Sequence, residues 1–225
     1  EVTGEVVEFD RILLRFDNVL IVAAKAGQPV EIVMQHFALG AQPIPLRWEV
    51  RNGQLESIGV GEVAQGSQGS ITFTPETDGV FVVPVTAGGS AYRIVSSNVP
   101  LGLSAAGYAR FIFINDADRD RQMPLHFYVP EGLDEFNVSI AGQGGSEMVR
   151  VDVRNPEGET VATGQTTEAA RETIAVTTGD DAGEVWAVIL RAADTGSFED
   201  NSLRLDSRVS PILSLSPEHV FRMRR

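Results

Sequence analysis

The sequence predicts an all-β protein built as two antiparallel β-sandwiches in tandem. Apolar residues recur with a period of two along almost the whole chain, which is typical of half-buried strands. Gly, Pro, Asn and Asp interrupt these segments at short intervals, as they do between short strands. No amphipathic segment is longer than a turn or two of helix, and 225 residues suffice for two domains of about 100 to 120 residues each.

The first half contains clear hairpin patterns. The segment "PLRWEVRNGQLESI" places Leu46, Trp48 and Val50 on one face of a strand and then offers the turn pair Asn52-Gly53. A second strand, turn and strand follows, with Asp78-Gly79 at its corner. We therefore expect an immunoglobulin-like β-sandwich in which Trp48 is a core residue.

A stretch of small residues, "SSNVPLGLSAAG" at residues 96–107, follows the last strand of this set. We place the domain boundary there, so that the immunoglobulin-like sandwich covers residues 1–105 and the second domain covers residues 106–225. The second domain contains seven or eight predicted strands, and this number of strands for its length is typical of a sandwich or jelly roll.

The second half also resembles a known family. The segments that carry this resemblance are "HFYVPEGLDEFNVSIAG", "VRVDVRNPEGETVATG", "GEVWAVILRA" and "SPILSLSPEHVF". They resemble the jelly-roll accessory modules found beside catalytic domains in secreted bacterial polysaccharide-degrading enzymes, and their order is similar to that of prepeptidase C-terminal domains. The resemblance implies a jelly-roll-like, noncatalytic β-sandwich that binds carbohydrate or packs against a neighbouring domain.

Alternation along three strands of the second half defines a candidate binding face. If the three strands share one sheet, its outer face gathers polar side chains: His126, Tyr128, Asn137, Ser139, Arg150, Asp152 and Arg154. Amide, guanidinium and carboxylate groups hydrogen-bond sugar hydroxyls, and aromatic rings pack on the apolar face of a pyranose. The predicted ligand-binding residues are His126, Tyr128, Asn137, Arg150, Arg154 and Trp186. The alternative is a face that is merely solvated or covered by the first domain, since polar outer faces are the default.

Trp186 lies in "GEVWAVILRAA", a segment that is apolar on both faces and so predicts a central strand. Two interpretations stay open. A core or interdomain tryptophan is favoured over a platform for sugar stacking, because aromatic residues dominate protein cores.

Three acidic residues, Asp116, Asp118 and Asp120, have the spacing that begins an EF-hand calcium loop. The rest of the loop does not match, because Arg121 stands where the loop needs Gly and Phe127 where it needs a bidentate Glu. An Asp-rich turn explains the segment without metal. A structural calcium site that uses these carboxylates is the alternative, and we expect no other cofactor.

Catalytic signals are weak. His36, His126 and His219 lie far apart in the sequence and lack metal-ligand spacing, and no nucleophile motif is found. We therefore assign no catalytic residue. A small β-sandwich polysaccharide lyase or glycoside hydrolase remains an alternative, because a carboxylate pair is recognised by its separation in space.

Composition restricts the partners. The net charge of −13 and pI near 4.6 argue against nucleic acid and anionic membranes. The chain has no Cys, and no apolar run approaches the ~20 residues of a membrane span.

Because the sequence starts with Glu1 rather than Met, we expect that a signal peptide or upstream domain has been removed. We therefore place the protein outside the cell, secreted or on the cell surface.

The functional hypothesis is a noncatalytic carbohydrate-associated accessory or cell-surface module that binds a polysaccharide or spaces a neighbouring domain of a larger protein. A purely structural or interaction domain is the alternative, in which "SPILSLSPEHVF" packs against a neighbour.

Overall fold

The computed structural model describes residues 6–9, 13–39, 44–113, 123–167 and 171–222. The chain divides into two compact units, Glu1–Leu103 and Ser104–Arg225. This division lies close to the boundary expected at residue 105, and independent folding of the two units stays a prediction. None of the helical segments among the described residues has the length and apolar character of a membrane-spanning helix.

The described residues of unit 1 form two antiparallel sheets made from ten strands. The strands are β1 (Val7–Glu8), β2 (Leu13–Arg15), β3 (Asn18–Ala24), β4 (Val30–Phe37), β5 (Leu46–Arg51), β6 (Ser57–Val63), β7 (Gln68–Phe73), β8 (Gly79–Thr86), β9 (Ala91–Ser97) and β10 (Leu101–Ser104). Sheet 1A has the order β2-β9-β4-β7, with β1 also paired to β9, and sheet 1B has the order β10-β3-β8-β5-β6.

Unit 2 is built in the same way, with nine strands in its described part. They are β11 (Ala109–Ile112), β12 (Met123–Tyr128), β13 (Glu135–Gly142), β14 (Val149–Arg154), β15 (Thr160–Gln165), β16 (Glu172–Thr177), β17 (Val185–Ala192), β18 (Asp200–Leu205) and β19 (Ile212–Ser214). Sheet 2A has the order β11-β18-β13-β16, and sheet 2B has the order β19-β12-β17-β14-β15. A short 3-10 turn, Pro217–His219, follows β19.

Both units have the strand order of a jelly roll. The strands can be numbered from β2 in unit 1 and from β11 in unit 2. In each unit, neighbouring strands of one sheet then follow the order first, eighth, third, sixth. Those of the other sheet follow the order second, seventh, fourth, fifth. This is the eight-stranded, double Greek-key arrangement. The prediction of an all-β chain with two antiparallel sandwiches is confirmed. Unit 1 matches an immunoglobulin domain in size and in its two sheets, but its strand order is that of the jelly roll.

Each sandwich has its own apolar core, to which successive strands contribute alternate residues. In unit 1, Ile32 and Met34 of β4 are fully buried, and in unit 2 Val138 and Ile140 of β13 are fully buried. Trp48, expected in the core, is only half-buried. Its ring lies against Gly61 of the edge strand β6, where an added Cβ would come within 2.3 Å of the ring.

The hairpins β5–β6 and β14–β15 have the same construction. In each, an asparagine opens the turn and its main-chain N–H donates to the carbonyl of a glutamate four residues later: Asn52 to Glu56, and Asn155 to Glu159. The left-handed residue lies just before that glutamate in each case, Leu55 with φ 64° and Gly158 with φ 83°. Each hairpin also has a bulge beside the arginine that precedes its asparagine.

Candidate functional site

The predicted ligand-binding residues of unit 2 lie on two different sheets. β12 and β14 belong to sheet 2B, whereas β13 belongs to sheet 2A. His126, Arg150 and Arg154 therefore face away from Asn137 and Ser139 across the sandwich. The expectation of one shared outer face is wrong because the jelly roll places consecutive strands alternately in its two sheets.

Trp186 is a core residue. Its side chain is 1% exposed, and its ring meets the Phe136 ring edge-on at a centroid separation of 5.5 Å. The indole Nε1 donates a hydrogen bond to the main-chain oxygen of Asp181 at 3.0 Å. Trp186 borders a surface groove, but it has almost no exposed ring surface on which a sugar could stack, so its environment is that of a core residue rather than a stacking platform.

The ring of Tyr128 is covered from within the same unit. The guanidinium carbon of Arg222 lies 4.7 Å from the centre of the Tyr128 ring, within the range of a cation–π contact. The segment "SPILSLSPEHVF" also packs on its own unit, because Ser214 of β19 is the partner of His126 in β12. The C-terminal segment thus covers part of the outer face of sheet 2B.

Arg150 and Asp152 belong to a closed polar network on sheet 2B. Asp152 is 3% exposed, and its carboxylate accepts hydrogen bonds from Arg150 Nε at 3.2 Å and from the Thr163 hydroxyl at 2.8 Å. Arg191 Nε lies 2.9 Å from the other carboxylate oxygen. Two arginines and a hydroxyl offset the free-energy cost of burying this carboxylate. Because these groups are engaged with one another, we interpret the network as structural.

A groove of about 360 Å³ lies beside this network, and it is lined by His126, Arg154 and several apolar residues, among them Ala187, Ile189 and Pro217. Burial lowers the pKa of His126, although nearby Glu218 acts in the opposite direction. His126 is therefore neutral near pH 7. Since its walls are mostly apolar, this groove provides few hydrogen bonds for a sugar.

The outer face of sheet 2A has a more polar surface. A groove of about 310 Å³, hereafter the polar groove, is lined by Asn137, Ser139, Thr173, Arg204, Asp206 and Ser207. Strand pairing produces this set, because Ser139 of β13 stands between Thr173 of β16 and Arg204 of β18. The Ser139 and Thr173 hydroxyls are 3.1 Å apart and hydrogen-bonded.

Asp206 is fixed at one end of the polar groove. Its carboxylate accepts hydrogen bonds from Arg208 Nε at 2.8 Å and Nη2 at 2.6 Å, and from the Asn137 side-chain amide at 3.3 Å. Burial raises the pKa of Asp206, but the hydrogen bonds from Arg208 outweigh burial and hold the pKa below its ordinary value. Asp206 is therefore ionised near neutral pH, with its charge balanced by Arg208.

Arg204 differs from Arg208 because it is exposed and uncommitted. Within the described residues, no carboxylate lies at ion-pair distance from its guanidinium, and no side chain accepts a hydrogen bond from it. The polar groove thus combines an amide, hydroxyls, a fixed carboxylate and a free guanidinium. This combination can donate to and accept from several hydroxyl groups at once.

Sequence reasoning found only part of this groove. Alternation along β13 identified Asn137 and Ser139, but Thr173, Arg204, Asp206 and Ser207 were missed. The spacing of Arg204, Asp206 and Arg208 was a usable signal, because alternate residues of a strand and its extension share one face.

The metal prediction is untested. Asp116, Asp118 and Asp120 lie outside the described residues. Among the described side chains, no three His, Asp or Glu residues group as a cation site. The calcium alternative stays a prediction.

Comparisons with known proteins leave the family open. No protein-family model matches the chain, and no curated protein matches it. One similar solved structure is the M60 catalytic domain with the CBM51-1 and CBM51-2 domains from Clostridium perfringens ZmpB, at 9% identity and a TM-score of 0.27. The match covers 94% of this chain and 36% of that chain, so this protein spans about a third of its length.

Two further structures cover most of this chain at similarly low identity. The PBSX exported protein XepA is 11% identical over 92% of this chain and 88% of its own, with a TM-score of 0.27. The 11S allergen from Cocos nucifera is 12% identical over 92% of this chain and 80% of its own, with a TM-score of 0.27. Likenesses this small transfer no function.

Proposed function

We propose that this chain is a noncatalytic carbohydrate-binding module that recognises a polysaccharide through the polar groove of unit 2. One observation carries the proposal: Arg204, with an exposed and uncommitted guanidinium, stands among amide, hydroxyl and carboxylate groups. A planar guanidinium can donate two parallel hydrogen bonds to neighbouring hydroxyls or to the carboxylate of an acidic sugar. We further propose that the protein is secreted or displayed on the cell surface, where polysaccharides are met.

The chemistry of the groove favours binding over catalysis. The Asp206 carboxylate is fully engaged by Arg208 and Asn137, so it is poorly placed to take or give a proton. In the part of the chain that the structure describes, no second carboxylate lines the groove. The pair of carboxylates that glycoside hydrolysis ordinarily needs is thus missing from the groove's lining.

The test uses isothermal titration of the full chain with polysaccharide fragments, comparing wild type with Arg204→Ala. We expect Arg204→Ala to weaken binding by about 10- to 100-fold, the range for losing hydrogen bonds from a charged group. Arg47→Ala is the matched control, because Arg47 is an equally charged and exposed arginine in unit 1. Equal affinities of Arg204→Ala and wild type would show that the polar groove is not the binding site.

A further inference from the structure

A second cleft lies at one end of unit 1, outside every residue predicted to bind. Its volume is about 430 Å³, within the ~300 to 1,000 Å³ of typical small-ligand sites. The turn of the β5–β6 hairpin, the end of β7 and the start of β8 form its walls. We call it the end cleft.

Two phenylalanine rings form the apolar part of the end cleft. The Phe73 and Phe81 rings are 5.2 Å apart and tilted by 58°. Phe81 is 3% exposed and belongs to the core, whereas Phe73 at the end of β7 is only half-buried and lines the cleft. Phe73 therefore offers apolar ring surface at a solvent-accessible position.

The bulge of the β5–β6 hairpin adds an aliphatic wall. Val50 pairs with Gly59 and Arg51 pairs with Ser57, which leaves Ile58 without a partner in β5. A bulge redirects the side chain of the extra residue. Ile58 accordingly lines the end cleft and is 44% exposed.

The hairpin turn fixes the polar rim. The side-chain oxygen of Asn52 accepts hydrogen bonds from the main-chain N–H groups of Gln54 at 3.0 Å and Glu56 at 2.9 Å, and its amide donates to the Glu56 carboxylate at 2.9 Å. These bonds fix the main chain of the turn, and with it the backbone position of Gln54, before any ligand arrives. A preformed site loses less conformational entropy on binding.

The remaining rim groups are uncommitted. The side chains of Gln54, Thr74 and Glu76 line the end cleft and are exposed, and none of them makes a hydrogen bond or ion pair with another described residue. They supply an amide, a hydroxyl and a carboxylate beside an aromatic ring. Sugar hydroxyls both donate and accept hydrogen bonds, and this rim offers both functions.

The charge of the end cleft selects against acidic ligands. Among the described residues, Glu76 is the one charged residue that lines the cleft, and no described Lys or Arg lines it. A carboxylated or sulfated sugar would meet only repulsion there. The polar groove, with Arg204, has the opposite character.

We propose that the end cleft of unit 1 binds a neutral saccharide, with the sugar ring packed on Phe73 and its hydroxyls bonded to Gln54, Thr74 and Glu76. The site is independent of the polar groove, so either can fail without the other.

The experiment is an amide NMR titration of the full-length 225-residue chain. The probes are neutral oligosaccharides of glucose, xylose, mannose and galactose, each added separately. We expect at least one to shift amide signals at Gln54, Phe73 and Glu76. Shifts elsewhere only, or no shift with any probe, would overturn the proposal.

Variants distinguish the two sites. We expect Gln54→Ala and Glu76→Ala each to weaken neutral-sugar binding at the end cleft by about 3- to 30-fold, as followed by the amide shift of Phe73. Glu62→Gln is the matched control, because Glu62 is an exposed carboxylate on the same hairpin that does not line the cleft. Phe73→Leu keeps an apolar core contact but removes the ring, and it should also weaken binding. Wild-type affinity in both Gln54→Ala and Glu76→Ala would contradict the proposal.

Discussion

At the scale of single residues, Leu55 has the least favourable backbone conformation of the β5–β6 turn. Its φ of 64° is in the left-handed region, and its side chain is 64% exposed, so packing compensates little. The equivalent position in unit 2 is Gly158, with φ 83°. A left-handed conformation costs a residue with a Cβ about 1 to 2 kcal/mol.

Leu55→Gly should therefore stabilise the protein. We expect an increase of up to about 1 kcal/mol in the free energy of unfolding, or a Tm about 2 to 4 °C higher. Gly158→Ala, its counterpart in unit 2, should destabilise by about 1 kcal/mol. Thermal and urea unfolding of the two variants measure both effects, and a lower Tm for Leu55→Gly would contradict the strain argument.

His36 makes stability depend on pH. Its side chain is fully buried in unit 1, and its Nδ1 accepts a hydrogen bond from the Gly66 main-chain N–H at 3.0 Å. Burial lowers the pKa of His36 below 6.5, although the carbonyl of Ile44 acts in the opposite direction. The unfolded chain thus binds more protons than the folded chain between the folded pKa and 6.5.

The contribution of neutral His36 to the free energy of unfolding should accordingly be fully present above about pH 6.5. It should be lost as the pH drops through the folded pKa of His36. Urea unfolding at intervals between pH 5 and 7.5 measures this slope. Because Gln does not titrate, His36→Gln should show a smaller slope over the same range. A slope as steep in His36→Gln as in wild type would assign the pH dependence to other groups.

The sequence pattern predicted well which side chains are buried and poorly which side chains line a groove. Alternation identified the inward residues of β13 and β14 correctly, because burial follows the pleat of a strand. The coverage of Tyr128 by Arg222 could not be predicted, since it joins residues far apart in the sequence. Gln54 and Arg204 were missed because an uncommitted polar group is recognised only when its neighbours in space are known.

At the scale of elements, the edge strand β6 depends on glycine. The Trp48 ring of β5 lies against Gly61, and a Cβ there would meet ring atoms at 2.3 Å. The sequence "SIGVGEV" gives only a weak strand signal, because Gly is disfavoured in strands. Gly61 is explained by the neighbouring ring, a contact that the local sequence does not reveal.

Gly61→Ala should destabilise unit 1 by about 1 to 3 kcal/mol, the usual cost of overpacking. Gly53→Ala is the matched control, because a Cβ at Gly53 would meet nothing within 4 Å. Urea unfolding followed by tryptophan fluorescence measures the difference. Equal midpoints for the two variants would show that the Trp48 ring moves aside without cost.

The turn signals were right about position and incomplete about geometry. Asn52-Gly53 predicted the β5–β6 hairpin correctly, but the left-handed residue is Leu55 rather than Gly53. Asn155 and Gly158 behave as their sequence predicts, with Gly158 in the left-handed region. Bulges at both hairpins shift the register, and no residue type specifies a bulge uniquely.

At the scale of the whole molecule, the all-β class followed from periodicity, whereas the assignment of strands to sheets did not. Jelly-roll pairing joins strands as distant as β2 and β9, or β11 and β18. Local patterns do not encode such partners. The predicted binding face was wrong for the same reason. Alternation identified its strands correctly, but those strands lie in the two opposite sheets of unit 2.

Carbohydrate binding is the central claim, and affinity gel electrophoresis of the full chain against neutral and acidic polysaccharides tests it most directly. Each polymer is run with calcium and with chelator, so that a metal effect from Asp116, Asp118 and Asp120 is seen separately. We expect at least one polysaccharide to retard wild type, with Arg204→Ala less retarded on any polymer that binds the polar groove. If no polysaccharide retards the chain, the carbohydrate-binding function proposed here is contradicted.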